Sequence, residues 1–236
     1  MIGPKSVLSV AAGRLAPKVV GSAPGVTTGV IRQALHHAIV GVGPLPGAAA
    51  TAEKHLEDNN DDAEAAVKHI VDTHVRLAGV GGFATNIGGL VTQAVTLPAN
   101  ITGMAIIQCR MVASIAHLRG YDLTDPRVRN AILLTLLSEE KVSKQIQSQK
   151  IPAPPMAIAT APAYDRAIDD IVAAEVAQEL IGRVAGKRMV SMVAKRVPLV
   201  GGVVGAGADG WMTYQIGRYA SRELLPKRSD GRGASA

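Results

Sequence analysis

Several histidines and acids lie close together in the first third of the chain, where they could hold a metal ion or exchange protons. His69 and His74 are five residues apart. This spacing places them about 140° apart around a helix, whereas zinc-binding histidines four residues apart share one face. The neighbouring Asp61, Asp62 and Asp72 are explained by the preference of carboxylates for helix N-termini. The sequence therefore predicts no metal site and no cofactor.

The residues that could act as nucleophiles lack partners in the sequence. Cys109 stands in no catalytic motif, and Ser114 precedes His117 by an ordinary helical spacing. No Gly-x-Ser-x-Gly is present, and the glycine-rich run that begins at Gly79 lacks the Lys-Ser/Thr ending of a phosphate loop. No catalytic residue is predicted, and an enzyme with an unrecognised site is the weakest of three functional classes considered.

The longest feature of the chain is an uncharged stretch. Apart from the thiol of Cys109, the 33 residues from Leu77 to Cys109 contain no ionisable side chain. A second uncharged stretch runs from Val197 to Ala208. Thr, Asn and Gln inside the longer stretch make it a poor single span, because polar groups in lipid need internal partners. These stretches favour association with a membrane over crossing it.

The composition predicts an all-α protein. Only one Phe, one Trp and four Tyr occur in 236 residues, whereas glycine occurs 25 times and 47% of residues are hydrophobic. A core of small and aliphatic side chains suits helices that approach closely. We therefore predict an antiparallel helical bundle with glycine-rich helix contacts. The single cysteine argues for a reducing compartment and, with no convincing signal peptide, for the cytoplasm.

Hydrophobic spacing divides the chain into three parts. Residues 1–50 form a small-residue extension that is partly irregular, 51–225 a helical domain and 226–236 a flexible tail. A short helix from Thr27 to Val40 is expected within the extension. The stretch from Lys141 to Ala163 is expected to be a long connection or mobile flap. The other expected helices run over about 50–60, 62–77, 83–97, 98–119, 126–137, 164–180 and 198–225.

The helix over 98–119 is expected to be amphipathic in its C-terminal half, because Arg110, Ser114 and His117 fall on a different face from its apolar residues. Gly120 should end this helix, and Thr124-Asp125-Pro126 supplies a cap and a first-turn proline for the next one.

The last helix is expected to pack closely against another helix. Gly201 and Gly205 are four residues apart and should let residues 83–97 approach it.

Three polar residues fall within apolar helical sequence. Asn86, Asn100 and Asp209 would need partners if they are buried. We expect Asp209 to pair with Arg110 or Arg119, and the polar residues together to line one pocket of the bundle.

Positive charge is concentrated near both ends of the chain, and the net charge is +6. The bases that directly precede the second uncharged stretch are candidates for contact with anionic lipid headgroups. They are Arg183, Lys187, Arg188, Lys195 and Arg196. Nucleic acid is not expected as a partner, because binding motifs and interleaved stacking aromatics are absent.

Three motifs together resemble the EcsC family. Their sequences are Gly-Val-Gly-Gly from Gly79 with Ile-Gly-Gly-Leu from Ile87, Arg-Gly-Tyr-Asp-Leu-Thr-Asp-Pro from Arg119, and Lys-Arg-Val-Pro-Leu-Val-Gly-Gly from Lys195. The resemblance covers about residues 60–225. It implies a bacterial helical protein, sometimes encoded beside an ABC transporter and suspected of peripheral membrane association, with no catalytic residues to carry over.

Two functional classes remain ahead of the enzyme reading. The first is a helical protein at the inner face of the membrane that binds an anionic lipid surface or an apolar ligand such as a lipid. The second is a soluble interaction module or carrier, with a protein partner that could be a membrane transporter.

Overall fold

A computed structural model describes residues 24–79, 99–194 and 201–227, with side chains described in 28–79, 103–183 and 207–227. The described residues are mostly helical, which confirms the all-α prediction. In chain order the elements are α1 Pro24–Val40, β1 Gly41–Val42, β2 Leu45–Pro46, α2 Ala48–Glu57, α3 Ala63–Gly79, α4 Ala99–Leu118, α5 Pro126–Thr135, α6 Glu139–Gln147, α7 Pro155–Ala159, α8 Arg166–Ala194 and α9 Gly201–Glu223.

Helix α4 is the centre of the bundle, and α1, α2, α3 and α9 pack around it. We predicted an amphipathic C-terminal half for this helix, with Arg110 and Ser114 away from the core. That prediction is wrong, because both side chains are buried. The helix is covered on all sides, so even its polar residues lie in the interior. Ser114 accordingly donates a hydrogen bond to the carbonyl of Ala48, 2.9 Å away.

Helices α3 and α9 pack most closely, and a glycine makes the contact possible. A Cβ atom on Gly217 would lie 2.8 Å from a methyl carbon of Val71 and 3.2 Å from the sulfur of Met111. Because Gly210 lies next to Val75 and Gly79, α9 runs antiparallel to α3. The glycine-rich contact between helices is therefore present at Gly217. The contact that we predicted between Gly201, Gly205 and residues 83–97 lies outside the described side chains.

Helix α1 belongs to the core, although the sequence placed residues 1–50 in an extension. Ala34, Leu35 and Ala38 are buried against α4 and α8. A two-stranded antiparallel hairpin, in which Val42 pairs with Leu45, then turns the chain into α2. The bundle therefore begins at least as early as α1, while residues 1–23 lie outside the described part.

The turn between α4 and α5 has the chemistry that the sequence predicts. Gly120 adopts φ +80°, a conformation that side-chain-bearing residues rarely adopt. Asp125 caps α5 by accepting a hydrogen bond from the backbone N–H of Arg127, and Pro126 is the first residue of that helix. The hydroxyl of Tyr121 donates to the carbonyl of Leu225, 2.9 Å away, and so attaches the chain after α9 to this turn.

The region from Lys141 to Ala163 is more ordered than we predicted. Most of α6 and all of α7 lie within it, and Ile151, Ile158 and Ala159 are buried. The several prolines prevent one continuous helix but permit two short ones, because Pro155 occupies the first position of α7. A long connection is therefore the wrong description of this region.

A helix that crosses a bilayer needs about 20 consecutive, mostly apolar residues. Within the described residues, no helix is long and apolar enough to span a membrane.

Candidate functional site

The described residues of both uncharged stretches lie at the same end of the bundle. Arg110 contacts His74, and Gln108 contacts Thr213, so these residues mark one level on α4, α3 and α9. On one side of that level lie the C-terminal end of α3 and the N-terminal parts of α4 and α9. We call this part of the three helices the uncharged end, after the two uncharged stretches. Arg76 and Asp209 are its only ionisable residues.

The only tryptophan of the chain lies at the border of the uncharged end. Trp211 is 62% exposed, and it follows directly after Gly210, which lies against the last turn of α3. The ring of Tyr214 lies 5.7 Å from that of Trp211, and the guanidinium of Arg218 lies 5.9 Å from the ring of Tyr214. Along α9 the chain therefore passes from a part in which Asp209 is the one ionisable residue, through two adjacent aromatic rings, to a base. This order is typical of a helix at a membrane–water interface.

A layer of buried polar side chains lies just beneath the uncharged end. Nδ1 of His74 lies 2.8 Å from the carbonyl oxygen of Ile70 and donates to it, so Nε2 is left to accept from Nε of Arg110 at 3.2 Å. Nε2 of Gln108 donates to the hydroxyl of Thr213 over 3.2 Å. Burial and the charge of Arg110 lower the pKa of His74 to about 3, and the imidazole is neutral at physiological pH.

Arg110 is a buried cation that no acid of the described residues compensates. It is 4% exposed, and its Nη1 has no hydrogen-bond partner in the described part. Burial lowers its pKa, and no described carboxylate raises it. Every acid of the chain except Asp230 lies in the described residues. The guanidinium therefore keeps a buried positive charge beside a neutral imidazole, an environment that favours an incoming anion.

A groove of about 560 Å³ runs along the flank of α9 beside the uncharged end. Trp211, Met212 and Ile216 form one wall, and acids of α6 and α8 form the other. Glu179 forms ion pairs with Lys141 and Arg183, so part of this second wall is neutralised. The groove is therefore apolar on one side and polar on the other.

The five bases predicted to meet anionic headgroups have different surroundings. Arg183 is mostly buried, donates to Glu179 over 2.9 Å and donates to the carbonyl of Leu136 over 2.8 Å. It therefore stabilises the packing of α8. Lys187 and Arg188 lie on α8 with side chains outside the described set, and Lys195 and Arg196 lie outside the described residues.

Of the three predicted buried polar residues, only Asp209 has a described side chain. It is half-buried. Burial lowers the pKa of Arg183, and the charges of Glu179 and Asp209 oppose that shift. We expected Arg110 or Arg119 as its partner, but Arg110 contacts His74 and Arg119 pairs with Glu64. The side chain of Asn100 and the whole of Asn86 lie outside the described part. What the structure adds is the His74 and Arg110 pair, which the 36-residue separation hides in the sequence.

The other histidines of the described residues include two, His55 and His69, whose rings are in contact. The rings of His55 and His69 lie 4.8 Å apart, and Nδ2 of Asn59 lies 3.2 Å from Nδ1 of His69. No three histidine, cysteine or acidic side chains in the described ranges are placed to hold a metal ion. Complete burial raises the pKa of Cys109 to about 12, so this thiol is not a nucleophile at neutral pH.

Comparison with known proteins identifies one family. The model of the EcsC protein family matches residues 30–224, from within α1 to the residue after α9. Neither the curated proteins nor the solved structures contain a match.

Proposed function

The chain belongs to the EcsC protein family, and from the geometry of its uncharged end we propose that it binds peripherally to anionic membrane surfaces at the inner face of the membrane. The observation that carries this proposal is the position of Trp211. It is the only tryptophan, it is exposed, and it borders the end to which both uncharged stretches lead.

The attraction in this proposal has two sources. The exposed side chain of Trp211 supplies apolar surface for shallow insertion at the uncharged end, and the bases at the end of α8 and just before α9 supply electrostatic attraction. Each base near an anionic surface contributes about 1 kcal/mol. Because Arg183 is engaged by Glu179, the attraction is assigned to Lys187, Arg188, Lys195 and Arg196.

The first experiment uses the fluorescence of the single tryptophan. Purified protein is mixed with vesicles of phosphatidylcholine, with or without phosphatidylglycerol, at low and high salt. We expect the protein to float with the anionic vesicles, and we expect the emission of Trp211 to shift to shorter wavelength and to be quenched by brominated lipid chains. A protein that does not float with anionic vesicles even at low salt would overturn the proposal.

Matched variants locate the contact. Trp211→Ser and Leu225→Ser each remove an exposed apolar side chain, 62% and 51% exposed, from positions more than three helical turns apart. Trp211→Ser should weaken the vesicle partition coefficient about tenfold or more, because burying a large apolar side chain contributes about 1.5–3 kcal/mol. Leu225→Ser should leave it unchanged. Equal weakening by both variants would contradict an interface at the uncharged end.

Removal of the four bases tests the electrostatic part. Replacement of Lys187, Arg188, Lys195 and Arg196 by Gln should abolish flotation at low salt, while circular dichroism stays helical. The wild type should lose flotation as salt rises, because salt screens exposed charges. Flotation that is independent of both salt and these bases would refute the electrostatic part.

A carrier of an apolar ligand is the second candidate, and the groove beside Trp211 favours it. Its mixed walls suit an amphiphile with an apolar chain and a polar head. A soluble brominated fatty acid that quenches Trp211 in a protein that does not float with vesicles would favour the carrier.

A further inference from the structure

We propose that Trp211, Tyr214 and Arg218 form a binding site for the phosphate of a membrane phospholipid, with Arg218 as the residue that holds the phosphate. This inference rests on the membrane binding proposed above and adds a specific headgroup contact to it. The four bases at the end of α8 and before α9 act through their charge alone. The site on α9 instead forms directed hydrogen bonds with a phosphodiester group.

The exposed face of α9 carries no acid among the side chains that the structure describes. Its exposed residues are Gly207, Ala208, Trp211, Gln215, Arg218 and Arg222, and the partly exposed Tyr214 lies among them. The acids of this part of the helix, Asp209 and Glu223, are half-buried. Their positions are about 160° and 120° from Trp211 around the helix. The face that carries Trp211 therefore presents positive charge to an approaching phosphate.

Arg218 is an exposed cation that pairs with no carboxylate of the described residues. One turn further along the same face, Arg222 differs, because it forms an ion pair with Glu139. A guanidinium that no carboxylate occupies can donate two parallel hydrogen bonds to the oxygens of a phosphate. Arg218 is therefore the arginine of α9 that is available to an anion.

Tyr214 holds this guanidinium close to Trp211. Nη1 of Arg218 donates to the hydroxyl of Tyr214 over 3.3 Å, and the guanidinium carbon lies 5.9 Å from the centre of the tyrosine ring. Helical side chains point towards the N-terminus, so Arg218 extends back along α9 in the direction of Trp211. The hydroxyl of Tyr214 donates to no described residue, so its hydrogen can reach the same phosphate. The site thus offers donors from two side chains.

The position of Trp211 selects a lipid phosphate over a free one. Its ring is 62% exposed and lies 5.7 Å from that of Tyr214, so an apolar surface adjoins the phosphate donors. The headgroup region of each leaflet is about 5–8 Å thick. With α9 inclined so that Trp211 lies deepest, the indole meets the acyl boundary while Arg218 lies at the level of the phosphates. Leu225, roughly 20 Å further along, stays outside the membrane.

The test measures partition of the whole protein into vesicles of phosphatidylcholine and phosphatidylglycerol at several salt concentrations. Arg218→Lys keeps the charge but cannot form the two parallel hydrogen bonds. Its partition coefficient should fall about tenfold at every salt concentration, which corresponds to one hydrogen bond to a charged group, while the slope against salt stays unchanged. Tyr214→Phe keeps the ring and removes the hydroxyl, so its partition coefficient should fall by a smaller factor, about threefold.

Arg166→Lys is the matched control. Arg166 is an exposed arginine at the start of α8, about 25 Å along that helix from Arg183, so its replacement should leave partition unchanged. All variants should keep the wild-type Tm without vesicles.

The outcomes separate this site from membrane binding itself. If Arg218→Lys binds as wild type does, or if Arg166→Lys weakens binding equally, the phosphate site is refuted and peripheral binding stands. If the wild type does not bind anionic vesicles even at low salt, both proposals are refuted. Sodium phosphate in place of sodium chloride, at equal ionic strength, should not release the bound protein. Release by phosphate that is lost in Arg218→Lys would show a site for free phosphate and refute the lipid contact.

Discussion

Two buried arginines nine residues apart, Arg110 within α4 and Arg119 directly after it, show how differently the two ends of the bundle are built. Arg119, at the end away from the uncharged stretches, is 6% exposed and donates two hydrogen bonds to the carboxylate of Glu64. Arg110 is 4% exposed and donates to the neutral imidazole of His74. Removing a charge from water costs several kcal/mol unless an opposite charge offsets it.

Stabilising interactions are therefore distributed unevenly along the bundle. At the Arg119 end, paired charges, the Asp125 cap and the Gly120 turn all act together. At the Arg110 end, the described helices retain a buried cation without an acid and an exposed tryptophan. A region that lacks stabilising interactions in this way is often functional, because a bound partner can supply the missing interactions.

The packing between α3 and α9 gives the largest expected effect. Gly217 lies in the tight part of this contact, and Gly207, within the uncharged end, has open space around it. We expect Gly217→Leu to lower the free energy of unfolding by about 3 kcal/mol or more, because the branched Val71 side chain cannot rotate away. Gly207→Ala should raise it by about 0.5–1 kcal/mol through helix propensity. Urea unfolding followed by circular dichroism measures both.

Equal free energies of unfolding for Gly217→Leu and Gly207→Ala would contradict this contrast. If Gly217→Leu kept the wild-type free energy of unfolding, the two helices would be separated more widely than the structure shows. The difference in packing between the ends would then be absent.

Acid should lower the free energy of unfolding, because His74 binds a proton more readily in the unfolded chain than in the folded protein. The folded-state pKa of His74, about 3, is below the unfolded value of about 6.5, so the unfolded chain takes up the proton first. The contribution of neutral His74 is therefore complete above about pH 6.5 and decreases as the pH falls, by about 1.4 kcal/mol per pH unit. At pH 4.5 the loss from this group should be about 3 kcal/mol.

His74→Gln should remove that part of the pH dependence. Glutamine can still donate to Ile70 and accept from Arg110, but it does not titrate. Unfolding free energies between pH 4.5 and 6.5 should change less steeply with pH in this variant. An unchanged slope would show that His74 already binds its proton in the folded state.

Replacing single charges at each end should give effects of opposite sign. Glu64→Gln leaves buried Arg119 without its carboxylate, and we expect a loss of about 1 kcal/mol because Glu64 is itself mostly exposed. Arg110→Met removes an uncompensated charge. Relief of its desolvation, several kcal/mol, should exceed the 1–3 kcal/mol that the unpaired Nε2 of His74 costs, for a gain of about 1 kcal/mol. Chemical unfolding at pH 7.5 measures both variants, and a loss with Arg110→Met would show that this cation is compensated.

Local patterns in the sequence predicted much of the fold. The turn with Gly120 and the cap at Asp125 followed from residue chemistry alone, as did the helical class. The burial of Arg110 did not follow from residue chemistry, because hydrophobic periodicity assigns a charged residue to the exposed face of a helix. α4 has no exposed face over most of its length, since four helices cover it. The order of residues 141–163 was also missed, because isolated prolines suggest a loop even where they begin short helices.

The candidate site was predicted only in outline. The uncharged stretches and the bases beside them are visible as runs of residues, and they pointed to a membrane surface. The pairing of Arg110 with His74 and the hydrogen bond from Arg183 to the carbonyl of Leu136 each join residues that are distant in sequence. Such contacts depend on how the helices pack, which spacing within one helix does not report.

The close packing of α3 against α9 also has a consequence for synthesis. A ribosome that has completed α3 must add roughly 150 more residues before Gly217 can reach Val71, which at 5–20 residues per second takes roughly 7–30 s. During that interval the part of α3 that α9 covers, around Val71, has no covering helix. A nascent chain in this state is a natural client for a holdase chaperone, and a synonymous change that delays translation of α9 would lengthen its exposure.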